Sequence, residues 1–159
     1  MNIVIANRQR TRHINARHLR LITVSLFEEL QIHEGELGIN LVGAREMTLV
    51  NETFLKHAGS TDVITFDHVD GSPKNGSPAL HGELFICVDE AILQARRFRT
   101  RWQSEVVRYV VHGVLHLLGH DDLRTDRRRK MKREENRLVR RLSRKFSLAQ
   151  TSSRSKLVA

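Results

Sequence analysis

Residues Val110 to Asp122 read VVHGVLHLLGHDD and set His112 and His116 four apart inside an apolar run that begins at Val106 and ends at Leu118. On an α-helix, positions four apart share a face about one turn from each other. Two imidazoles so placed can hold one cation at roughly 2.0–2.1 Å each. A continuing helix cannot supply the third ligand, because His120 would lie roughly 12 Å along the axis from His112 at ~1.5 Å per residue. Gly119 removes that obstacle, since glycine takes the left-handed conformation that ends helices. Beyond it the chain can turn back and offer His120, Asp121 or Asp122 to the same ion. A helix apolar nearly all round is buried, and two unpartnered histidines in a core are costly. The pattern therefore points to a metal site.

Zinc proteases use the same spacing, reading H-E-x-x-H on a helix with the glutamate as general base. Gly113 stands at the glutamate position here, so the ligand spacing is present and the protease base is missing. A zinc metallopeptidase is disfavoured on that ground.

At 159 residues and 40% hydrophobic content, the chain suits one globular domain with a modest core. No stretch approaches the ~20 apolar residues of a membrane span. The opening MNIVIANRQR lacks the apolar length and the leading positive charge of a signal peptide. The lone cysteine, Cys87, lies in the apolar run LFICV and reads as a small buried residue of a reducing compartment, so a cytoplasmic location is expected. The net charge of +9 is unevenly spread: residues 1–122 hold 13 Lys and Arg against 15 Asp and Glu, and residues 123–159 hold 14 against 3. Such a basic block is the footprint of nucleic acid or another anionic surface.

Hydrophobic periodicity predicts strands at Asn2–Ala6, Leu37–Val42, Ser60–Asp67 and Glu83–Val88. It predicts helices at Asn15–Leu30, Ala44–His57, Val88–Arg99 and Thr125–Phe146, and a metal helix with Ser104 as N-cap and Glu105 in its first turn. The fold class is α+β: a single domain with a small mixed sheet of about four strands packed against helices, and a zincin-like metal helix at the centre. Turn formers from Asp67 to His81 allow the flanking strands to pair as a long hairpin. The last helix carries Met131, Leu138, Val139, Leu142 and Phe146 at helical period, with Arg and Lys on its other faces. That stripe docks on the domain while the cations face solvent or RNA; an anionic membrane is the alternative. The polar end, 149–159 and Gln150 to Ala159 above all, is expected to be disordered.

HGVLHLLGHDD resembles the signature of the YbeY family of metal-dependent single-strand endoribonucleases, the rRNA maturation factors. The family's usual pattern is H-G-x-L-H-L-x-G-Y-D-H, in which the first, second and last histidines bind zinc. His112 and His116 match the first two ligands, the last position falls on Asp122, and the tyrosine position falls on His120. The resemblance implies His112, His116 and Asp122 as the metal ligands, with His120 as the alternative third. Zn²⁺ accepts such a set, and a carboxylate makes the site harder, shifting preference toward other divalent ions. The likeness extends to Asn51 followed ten residues on by TDVITF, to GELFIC from Gly82 to Cys87, and to Gln94-Ala95, covering roughly Leu37 to Asp122. Many members carry an arginine four residues after the asparagine that acts on substrate phosphate. Leu55 holds that position here, and the adjacent Lys56 can replace the charge but not a bidentate guanidinium.

The resemblance implies a metal-dependent hydrolase domain over 1–148 that cuts single-stranded RNA in rRNA processing and ribosome biogenesis. RNA and pre-ribosomal particles are the implied partners, with no membrane and no DNA. A three-ligand metal with an open position polarises a phosphate and lowers the pKa of bound water to about 7. Asp121 and Lys56 are the candidate catalytic residues. Asp121 orients a ligand or a water, or else caps the turn, and Lys56 contacts phosphate. Thr61 and Asp62 read as a turn, and Arg45 as solvated charge. With few aromatics, a broad base-stacking platform is not expected. A non-enzymatic, metal-stabilised RNA-binding assembly factor is the remaining alternative, which a closed four-ligand site would favour.

Overall fold

A computed structural model of the protein describes residues 1–68 and 79–154. The chain runs β1 (Asn2–Asn7), α1 (Ala16–Glu29), β2 (Glu34–Val42), α2 (Ala44–Val50), β3 (Val63–Asp67), β4 (Ala79–Cys87), α3 (Val88–Phe98), α4 (Trp102–Leu117) and α5 (Thr125–Lys145). The four strands form one mixed sheet in the order β1-β2-β4-β3. β1 and β4 flank β2 in parallel, and β3 pairs antiparallel with β4, from Val63 opposite Ile86 to Asp67 opposite Gly82. The hairpin expectation holds for the paired strands; most of the Asp67–His81 loop lies outside the described residues.

Alternation along the strands sorts their side chains by face. Leu37, Ile39 and Leu41 of β2 and Leu80, Leu84 and Ile86 of β4 point to one side, where Leu19, Ile22 and Leu26 of α1 and the valines of α4 cover them. On the other side Val42, Ile64 and Cys87 pack with Met47 and Val50 of α2. Cys87 is fully buried, as its apolar context implies.

α4 is the central helix, packed against α3, α5, β3 and β4. Two glycines let it lie close on the sheet. A Cβ at Gly113 would stand 2.7 Å from Leu84 Cδ2, and a Cβ at Gly82 would stand 2.8 Å from Leu117 Cδ1. Each glycine thus leaves the room that a leucine from the facing element fills.

The structure departs from the periodicity at four places. β2 and β4 begin earlier than their alternation suggests, because the ladder between them continues to Glu34 opposite Ala79 whatever the side chains are. α2 stops at Val50 and widens into a π-helical turn, Asn51–Leu55, closed by Lys56 in the left-handed region at φ 58°. Asn51 is buried there and its Nδ2 donates to Gly59 O at 2.9 Å, which folds the next loop back onto the helix end. Ser104 is not the N-cap of α4: Arg101 is, and Thr100 Oγ1 donates to Glu105 at 2.8 Å. The expected disorder from 149 onward does not hold up to Ser153. Leu148–Ser152 forms a 3₁₀ turn in which the Asn15 N–H donates to Thr151 O at 2.7 Å and Asn15 Nδ2 donates to Ser153 O at 2.9 Å. Leu148 anchors that segment in the core and the hydrogen bonds from Asn15 hold the polar residues after it, so their composition misleads; residues 155–159 lie outside the described set.

α5 docks by its apolar stripe, with Met131, Leu138, Val139 and Leu142 buried. Glu29 at the end of α1 accepts from Arg141 Nε at 2.8 Å and from Lys145 Nζ at 2.8 Å. Hydrogen bonds from Lys145 and then Arg141 hold its carboxyl down at about 2, below the ordinary 4.5. A carboxyl whose folded pKa is depressed stabilises the fold above its unfolded value and loses that effect as the pH falls. The acid limb of the stability curve between pH 4.5 and about 2 is therefore expected to flatten in Glu29→Gln, as read from urea midpoints across that range. Gly113→Val should lower stability by about 1–3 kcal/mol through overpacking against Leu84, seen as a drop in the same midpoint at neutral pH. Among the described residues no helix is long and apolar enough to cross a membrane.

Candidate metal centre and adjoining groove

The C-terminus of α4 closes in a Schellman motif: the Gly119 N–H donates to His116 O and the His120 N–H to Leu115 O, both at 3.0 Å. Gly119 takes φ +97°, which a side chain would resist. The reversal brings Asp122 back beside the helix. One ligand atom from each of His112, His116 and Asp122 lies within 4.8 Å of the others, a grouping able to hold a metal ion.

The hydrogen bonds of the two imidazoles fix their tautomers. His112 Nδ1 meets Glu135 Oε1 at 2.8 Å, and His116 Nδ1 meets the His120 carbonyl at 3.0 Å. An ionised carboxylate and a carbonyl only accept, so each Nδ1 carries a proton, and it is Nε2 that each ring can offer to a cation. Those two Nε2 atoms face each other at 3.0 Å. Two nitrogens at that distance need a shared proton or metal ion, since two bare lone pairs would repel. Burial, and then the neighbouring His112, push the pKa of His116 below the ordinary histidine value, against the pull of Asp122. Two imidazoles presenting Nε2 beside a carboxylate are a donor set that suits a divalent cation.

Glu135 is the residue that sequence reasoning passed over. It is 3% exposed on the inner face of α5, and its Oε2 accepts from Arg108 at 2.7 Å and from Lys132 at 2.9 Å. Burial opposes its charge most strongly, but the hydrogen bonds from His112, Lys132 and Arg108 together prevail and hold the carboxyl down at about 2. Its place in the stripe, four after Met131 and three before Leu138, was the available signal: a carboxylate at a core position of an otherwise docked helix.

The other expected residues sit as follows. The His120 ring is outside the ligand group, and its carbonyl steadies His116 instead. Asp121 accepts from the Leu123 N–H at 3.2 Å and from Arg127 Nη1 at 2.9 Å. Burial opposes its ionisation, yet those bonds keep its pKa below the usual carboxylate value. Lys56 and Arg45 are exposed, and neither lines the groove at the metal group. Asp62 does line it, while its Oδ1 accepts from the Val63 N–H at 2.8 Å, as a turn residue would. This groove holds about 650 Å³ and runs from His112 and Asp122 between α3, α4 and α5, with Arg108, Arg128 and Lys132 in its wall.

Comparison with known proteins gives a consistent result. A family model described as Endoribonuclease YbeY matches residues 4–143. An Endoribonuclease YbeY of Syntrophotalea carbinolica is 30% identical over 146 residues, which is 91% of this chain and 97% of that one. Another, from Chlorobium phaeovibrioides, is 36% identical over 98 residues, so the chain spans 62% of that relative's length. The fold is shared with a Thermotoga maritima protein whose structure was determined in solution, at TM-score 0.66 and 22% identity over 99% of both chains. On the extent of the family match and of the Syntrophotalea alignment, the chain belongs to the YbeY endoribonuclease family.

Proposed function

We propose that the protein is a metal-dependent endoribonuclease that cuts single-stranded RNA in rRNA maturation, working in the cytoplasm on ribosomal precursors. Zn²⁺ is the ion we assign to His112, His116 and Asp122. The observation that carries this reading is the pair of Nε2 atoms facing each other at 3.0 Å beside a carboxylate. When bound, a divalent ion there supplies Lewis-acid polarisation of a phosphoryl oxygen. The chain's own residues do the rest. Glu135 holds His112 in the ligating tautomer and the His120 carbonyl does the same for His116. Arg108, Arg128 and Lys132 orient the phosphodiester along the groove. Asp121 acts through the turn that delivers Asp122, and Lys56 contacts phosphate outside the groove. The exposed cations of α5 attract the RNA backbone.

The peptidase alternative meets a steric objection. Position 113, where the protease glutamate would stand, faces Leu84 and the sheet rather than the metal group. The assembly-factor alternative needs a closed site of four protein ligands, and the grouping found among the described residues has three.

Metal content and cleavage of single-stranded RNA and casein, measured on the purified protein and on His116→Ala, test the proposal. RNA should be cut and casein left intact, and the variant should lose both metal and cutting. RNA binding without cleavage by the metal-loaded protein would transfer support to the assembly-factor reading. Glu135→Gln should weaken metal affinity about 10–100-fold, as followed by competition with a chelating dye. Replacing Arg129, Lys130 and Arg133 together by Gln should reduce the slope of log affinity against log salt by roughly 2, at about 0.7 per phosphate contact on a single strand.

A further inference from the structure

The part of the groove away from the metal group carries polar and aromatic groups that nothing above employs. Gln94 stands half-buried in its wall, and its amide has no hydrogen-bond partner among the described residues. Tyr109 also lines it; the residue is 5% exposed, and its buried hydroxyl has no partner among the described residues. A buried phenol without a partner has given up its bonds to water and gained none in return, which is rare in a finished structure. At the rim Phe98 is 61% exposed, with the Arg97 guanidinium 5.4 Å from its ring centre. Arg128 lies at the end nearer Asp122, whose carbonyl it meets through Nε at 3.3 Å, leaving the rest of its guanidinium for an anion.

A single-stranded nucleotide asks for these features together. Its base needs a face to stack on, its edge needs donors and acceptors, and its phosphate needs a cation. The volume, about 650 Å³, lies within the range that small-ligand sites occupy. Because His112 and Asp122 belong both to the groove and to the metal group, an occupant would be contiguous with the phosphodiester held there.

We propose that this groove is a nucleotide subsite, receiving one unstacked RNA nucleotide next to the bond that is cut, with its base on Phe98 and its polar edge on Gln94 and the Tyr109 hydroxyl. The assignment rests on the ribonuclease reading given above. It makes Gln94 and Tyr109 specificity-determining residues, so the enzyme discriminates among bases at one position beside the cut.

The test titrates the metal-loaded full-length protein with the four nucleoside 5′-monophosphates and with inorganic phosphate, reading binding by calorimetry. At least one nucleotide should bind more tightly than phosphate. Tyr109→Phe and Gln94→Met should each weaken that nucleotide about tenfold, with metal content unchanged and melting temperature unchanged or raised. Phe98→Ala should weaken all four nucleotides alike. Nucleotides no tighter than phosphate, or equal binding to the wild type and Tyr109→Phe, would overturn the subsite; a tyrosine serving only to fill the core gives that second result. Cleavage of single-stranded RNA is scored separately. Variant-sensitive nucleotide binding without cleavage keeps the subsite and removes the ribonuclease reading, whereas cleavage with insensitive binding does the reverse.

Discussion

Two imidazole Nε2 atoms facing each other across 3.0 Å need a shared cation to be stable there, and much of this fold acts to hold them so. Each ring is locked from behind, one by a buried carboxylate and the other by the carbonyl of a helix-ending turn. The helix that bears them is fixed by contact on several sides, and its closeness to the sheet depends on Gly113 and Gly82. Swinging the His112 ring away would break a hydrogen bond to a carboxylate with little access to water, which costs more than an exposed bond would. Preorganisation of this kind lets a cation bind without reordering the site.

The charge arrangement around Glu135 shows how a carboxylate can be kept ionised in a core. Three donors converge on it, from α4 and from its own helix. Removing any one would leave a buried charge less compensated, and such losses exceed the net value of the pair. Arg108 and Lys132 thus serve twice, as counter-charges for Glu135 and as positive lining of the groove. The basic character of α5 is therefore not uniform surface decoration, since its inner edge belongs to the site.

The grouping of His112, His116 and Asp122 was readable from the residues because it is local. Helical spacing sets His112 against His116, and Gly119 gives the turn that returns Asp122, all within eleven residues. The sheet was readable for the same reason: alternation in β2 and β4 reports which side is buried. What was missed is non-local. Glu135 meets His112 across 23 positions in sequence, and its surroundings of Arg and Lys disguised a core residue as part of a solvated face. Ser104 looked like an N-cap by residue type, but Thr100 and Glu105 form the start-of-helix hydrogen bond one turn earlier. The order of residues 149–153 is not legible in the sequence because hydrogen bonds from Asn15 cannot be inferred from hydropathy.

The late position of Glu135 has a consequence for biosynthesis. The last of the three side chains that could hold a metal is present once residue 122 has been made, but the carboxylate bonded to His112 follows thirteen residues later, on a helix whose buried stripe runs on to Leu142. A nascent chain therefore carries all three donor side chains before it can hold them in register. Completion of the final helix would then be the step that fixes the His112 ring, and a shorter product of translation would lack that support.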